Sequence, residues 1–114
     1  MTALVKLVVF VPEEAADAVR QALGAAGAGD VGAYSWCSYS VVGRGRFLPG
    51  AGAVPHIGTP GRMETVDEER IEVTCRRDRA RTIAAAVRDA HPYEEVVIDL
   101  YPLLEEDALE GWPV

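Results

Sequence analysis

His91-Pro92-Tyr93-Glu94-Glu95 gathers an imidazole, a phenol and two carboxylates in five residues. Imidazole titrates near neutrality and a nearby carboxylate can orient it, so His91 with Glu94 or Glu95 has the groups for acid–base work or for a divalent metal. The same residues also suit a structural role, with His91 satisfying the last carbonyls of a helix, Pro92 ending it, Tyr93 packing and the glutamates solvated. His56, in Val54-Pro55-His56-Ile57-Gly58, is the other histidine. A metal centre needs three or four converging ligands. Cys37, Cys75, His56, His91, Glu64 and Glu94 could meet that need only if folding joins them, because no CxxC, HxH or HExxH spacing occurs. The ligand set drawn from them is His91, Glu94, Cys37 and His56, for a divalent ion; no other cofactor is indicated.

Gly43-Arg44-Gly45-Arg46-Phe47 is a second constellation, lying in a stretch from Val31 to Met63 that contains no acid. Glycine amides and guanidinium forks suit phosphate or carboxylate, which makes Arg44 and Arg46, together with His91, Tyr93, Glu94 and Glu95, candidate ligand-binding residues. A flexible hairpin tip with incidental arginines accounts for the same residues. Neither GxxxxGK[ST] nor GxGxxG is present, and Ser35, Ser38 and Ser40 lack a nucleophile-elbow context.

The elements that must position these groups follow from periodicity. Ala3 to Val11 is almost wholly apolar and β-branched, as expected of the middle strand of a sheet. Pro12-Glu13-Glu14 opens a helix to about Ala26 whose apolar stripe is Ala15, Val19, Ala22, Leu23 and Ala26. Ala33 to Val42 suits a half-solvated strand. Gly43 to Gly61, with six glycines and three prolines in nineteen residues, reads as a long exposed connection. Arg70 to Cys75 alternates strictly, placing Ile71, Val73 and Cys75 on one face. Asp78 is placed to cap a second helix with the stripe Ala80, Ile83, Ala84, Val87 and Ala90, which Pro92 stops at His91. Val96 to Tyr101 forms the last strand, and residues 104–114 form an acidic tail.

The order β-α-β, long loop, β-α-β with right-handed crossovers predicts an α+β, ferredoxin-like βαββαβ sandwich: a four-stranded antiparallel sheet with both helices on one face. All 114 residues form one domain. One sheet face stays uncovered, with Tyr34, Trp36, Tyr101 and Trp112 as candidates to occupy it, and an open aromatic face predicts self-association. The net charge of −7 argues against a nucleic-acid partner, and no apolar run approaches the ~18 residues of a membrane span. With no export signal ahead of the first strand, the expected compartment is the cytoplasm, with both cysteines reduced.

Gly32 to Ser40, Gly43 to Pro49, Gly58 with Gly61 to Val66, Glu69 to Glu72, His91 to Glu95 and Asp99 to Pro102, in that order, closely resemble the inserted domain of the Nif-three-like (NGG-one-interacting factor) proteins. The likeness runs from about Val5 to Leu103, and the His-Pro-Tyr-Glu element is also similar to one in CutA, the divalent-cation tolerance protein. The resemblance implies a PII-like or CutA-like fold that commonly assembles as a trimer. It also implies that the long loop contacts ligands, and that the two-metal hydrolase or cyclohydrolase chemistry of full-length relatives belongs to a separate domain absent from these residues. The expected function is a non-catalytic oligomeric or regulatory module binding a small anion, nucleotide or metal at intersubunit clefts. The alternatives are a small divalent-metal-dependent hydrolase using His91 and Glu94, and a structural trimer that docks another protein.

Overall fold

The computed structural model describes residues 3–106 and 109. Its strands are β1 (Leu4–Pro12), β2 (Tyr39–Phe47), β3 (Glu64–Arg76) and β4 (Ile98–Pro102); its helices are α1 (Ala16–Ala25) and α2 (Ala80–Ala90), each entered through a three-residue 3-10 turn. The strands form one antiparallel sheet in the order β2-β3-β1-β4, which is the expected ferredoxin-like arrangement with β1 inside.

Alternation along the strands sets the two faces. Leu7 lies opposite Val73 and Leu100, and Val9 opposite Ile71 and Ile98. Leu7, Val9, Ile71, Val73 and Ile98, with Val5, Val11 and Cys75, meet Ala16, Val19 and Leu23 of α1 and Ala80, Ile83 and Val87 of α2 in one core, while Leu100 stays exposed. Leu7, Val9, Val19, Ile71, Ile83 and Val87 are fully buried. At roughly 1.5–3 kcal/mol per buried aliphatic side chain, this layer dominates the folding free energy. Arg20 ties α1 to the sheet, donating to Ser40 and Glu69 across the layer and to Asp17 on its own helix.

Several local expectations are corrected. Strand β2 begins at Tyr39 and runs through Gly43 and Gly45 to Phe47, so the predicted Ala33–Val42 strand starts late and the connection spans only 48–63. Strand β3 is correspondingly long, because its first half pairs with β2: Arg44 faces Asp67 and Phe47 faces Glu64. Asp78 makes no side-chain cap; its carboxylate accepts from Arg76 instead. Tyr34 lies in a small bridge with Val31, away from the sheet. Trp36 adopts a positive φ of 63° and lies against α1, where a Cβ on Gly24 would overlap its ring. By register the uncovered face holds Tyr39 and Val41 of β2 and Tyr101 of β4; Trp112 lies outside the described residues. Among the described residues no helix is long and apolar enough to cross a membrane.

Candidate functional site

Pro92 forces His91 out of helical geometry, to φ −93° and ψ 138°, and so turns the chain off the end of α2 toward the C-terminal end of β1. His91 is buried there, and both of its ring nitrogens are engaged. Nδ1 accepts from the Tyr93 backbone N–H at 3.1 Å, which leaves Nε2 as the protonated nitrogen donating to the Phe10 carbonyl at 2.7 Å. Burial pushes the imidazole pKa below its ordinary value, outweighing the opposing effects of the Phe10 hydrogen bond and Glu68. His91 is thus a neutral strut between α2 and β1. Its partner is a strand carbonyl and not the helix carbonyls that the sequence suggested.

The turn delivers Tyr93 onto the side of the sheet away from the helices. Its hydroxyl donates to Glu68 Oε2 at 3.0 Å, and burial followed by that hydrogen bond raises the phenol pKa well above its usual value. Glu68 can lie across β2 because position 45 is glycine: a Cβ there would overlap Glu68 Oε1. The 48–63 loop folds back over this corner. Val54 N–H donates to Glu94 Oε1 at 2.8 Å, and the His56 ring sits 6.3 Å from Tyr93 with Nε2 3.7 Å from Glu14.

Between loop, corner and sheet lies a cavity of about 580 Å³, walled by Phe10, Phe47, Pro49, Pro55, Ile57 and Val97, with Arg46, His56, Glu68, Tyr93, Glu94 and Glu95 supplying polar groups. Far from being bare, the uncovered sheet face is roofed at this end. Of the predicted ligand-binding residues, the fold brings together Arg46, Tyr93, Glu94 and Glu95; His91 lies beneath Tyr93, with ring centroids 4.8 Å apart. Arg44 is exposed opposite Asp67 and does not line the cavity.

The four predicted metal ligands do not converge within one chain. Cys37 lines a separate cavity of about 360 Å³ with Arg20, Gly24 and Trp36, beside α1, and among the described residues no three His, Cys, Asp or Glu side chains are grouped to hold a metal. His91 would have to give up one of its two hydrogen bonds to ligate an ion. Phe10, Phe47 and Glu68 were missed as site residues. Their signal was present only as alternation along β1, β2 and β3, which places all three on the face opposite the helices once register is known.

Comparison with known proteins bears on the whole chain. It is 47% identical over 108 residues to a GTP cyclohydrolase 1 type 2 homolog of Halalkalibacterium halodurans, covering 95% of this chain and 29% of that protein. The corresponding Bacillus subtilis protein is 44% identical over 108 residues, with 95% and 29% covered. The crystal structure of a Bacillus cereus protein related to NIF3 superposes with a TM-score of 0.78 at 45% identity, over 90% of this chain and 26% of that one. The chain is thus similar to NIF3-related proteins over nearly all of its own length. It corresponds to one segment of these relatives, spanning under a third of their length. No family model matches the sequence. CutA of Archaeoglobus fulgidus, at 16% identity and a TM-score of 0.65, covers 90% of this chain and 85% of its own, and shares the fold. This NIF3-type segment therefore has a CutA-like ferredoxin architecture, with the cavity at its loop end.

Proposed function

We propose that this chain is a cytoplasmic, non-catalytic ligand-binding module of the NIF3 type, which assembles as a homotrimer and takes up a small molecule in the cavity under the 48–63 loop. The observation that carries the proposal is the cavity itself. Its volume of about 580 Å³ falls within the ~300–1,000 Å³ of small-molecule sites, and it combines apolar walls with a few convergent polar groups. The exposed Tyr39, Val41 and Tyr101 on the face away from the helices support association of copies through that side of the sheet. The cyclohydrolase in the relatives' name belongs to proteins of which this chain spans 29%, and the proposal assigns it no catalytic step.

An anion is disfavoured as the general ligand. The stretch that is acid-free in sequence is lined in space by Glu64, Asp67, Glu68 and Glu94, which meet Gly58, Arg44, Gly45 and Val54 respectively. Amide-resolved NMR titration with a panel of nucleotides, amines and carboxylates tests the site: the expected result is that one class shifts Phe47, Val54 and Tyr93, and failure of every class overturns it. Light scattering after size exclusion tests the assembly, with a trimer mass expected at micromolar concentration and a strict monomer refuting it.

A further inference from the structure

Resting on the cavity as a binding site, we infer that its occupant is an organic cation, an alkyl- or arylammonium group held between ring faces and carboxylates. Three rings converge on the space. Tyr93 stands 6.3 Å from Phe47 with the ring planes inclined by 58°, and 6.3 Å from His56 with the planes inclined by 48°. Rings tilted at these separations pack edge to face, and Phe47, His56 and Tyr93 together present aromatic surface to the cavity that all three line. A cation over such faces is attracted by their quadrupoles, the more so as it is desolvated.

The charge at the wall has the matching sign. Glu68, Glu94 and Glu95 line the cavity against the single guanidinium of Arg46. One Glu68 oxygen accepts from the Tyr93 hydroxyl and one Glu94 oxygen accepts from Val54 N–H, so each of these carboxylates is fixed in place and keeps a second oxygen. Among the described residues no three His, Cys, Asp or Glu side chains are grouped as the protein cage of a metal ion. A bulky ammonium needs no coordination shell. It needs apolar walls, ring faces and counter-charge, and this cavity has all three.

The test uses the full chain and four probes: choline; its uncharged isostere 3,3-dimethylbutan-1-ol; benzyltrimethylammonium; and benzoate. In amide-resolved NMR titrations the two cations are expected to shift Phe47, Val54 and Tyr93, with the alcohol binding about tenfold more weakly than choline. Glu95→Gln and Phe47→Leu should each weaken the cations by about threefold or more, and Arg46→Gln should tighten them. Glu95 and Arg46 are exposed, so those two variants keep the experiment decisive even if Phe47→Leu unfolds. Choline and its isostere binding equally, or benzoate binding in preference to both cations, overturns the charge assignment and leaves the cavity standing as a binding site. No shift from any of the four probes overturns the inference; absence of shifts from the broader nucleotide and carboxylate panel as well overturns the binding site.

Discussion

Replacing His91 with alanine should damage folding before it damages anything else. The imidazole is 7% exposed and holds two backbone groups of different elements, the Phe10 carbonyl at 2.7 Å and the Tyr93 N–H at 3.1 Å. Alanine leaves both without their partner, at ~1–3 kcal/mol for each group that water cannot reach. Phe10 and Tyr93 are half-buried, so water satisfies part of that demand, and a total loss of about 2–4 kcal/mol is expected. In urea denaturation, with a slope of ~1–3 kcal/mol per M, the midpoint should fall by about 1–3 M. His91→Gln keeps a donor and an acceptor and should recover part of the loss.

The pH dependence supplies a readout specific to the imidazole. Folded His91 binds its proton less tightly than the unfolded residue, whose ordinary value is 6.5, because burial opposes the charge; Glu68 pulls the other way and His56 adds to the lowering. Protonation would also turn Nδ1 into a donor facing the Tyr93 N–H donor. The unfolded state therefore takes up more protons just below pH 6.5. The stabilisation from neutral His91 is complete above that value, declines as pH falls toward the lower folded value, and changes no further beneath it. Subtracting the His91→Gln profile removes the other titrating groups. A loss below ~0.5 kcal/mol for His91→Ala, or wild-type and His91→Gln profiles that superimpose between pH 5 and 7, would refute the strut (~0.5 kcal/mol being the ordinary scatter of surface changes).

Gly45→Ala should cost about 0.5–1.5 kcal/mol in thermal denaturation and weaken ligand binding, since the new Cβ pushes the Glu68 carboxylate away from the Tyr93 hydroxyl; unchanged stability would mean Glu68 moves freely. Arg20→Ala should destabilise by about 1–3 kcal/mol by leaving the half-buried Glu69 carboxylate unpaired, and the loss should largely vanish in an Arg20→Ala, Glu69→Gln double variant. Cys37, which is half-exposed, should react with a thiol reagent in the native protein, whereas Cys75 should react only on unfolding, because it is buried and burial raises its pKa; equal rates would contradict the core assignment.

What could be read in the sequence, and what could not, divides by how local the cause is. β1 and α2 were legible because their apolar spacing is carried by the elements themselves, and Pro92 forces His91 out of the helix whatever surrounds it. The limits of β2 were not. Gly43 and Gly45 look like loop punctuation, and the reason for a glycine at 45 is the Glu68 side chain, 23 positions later, crossing the strand. The positive φ of Trp36 and its packing on Gly24, twelve positions earlier, are likewise announced by no local pattern. The charge of the site was misread for a related reason. Arg44 and Arg46 sit in an acid-free stretch, but antiparallel pairing sets Asp67 opposite Arg44 and Thr65 opposite Arg46, while the turn after α2 brings in Glu94 and Glu95. A run of sequence has a net charge that can be counted; a cavity takes its charge from whichever strands and turns close it. Here the closing elements are acidic, which moves the expected ligand from an anion toward a cation.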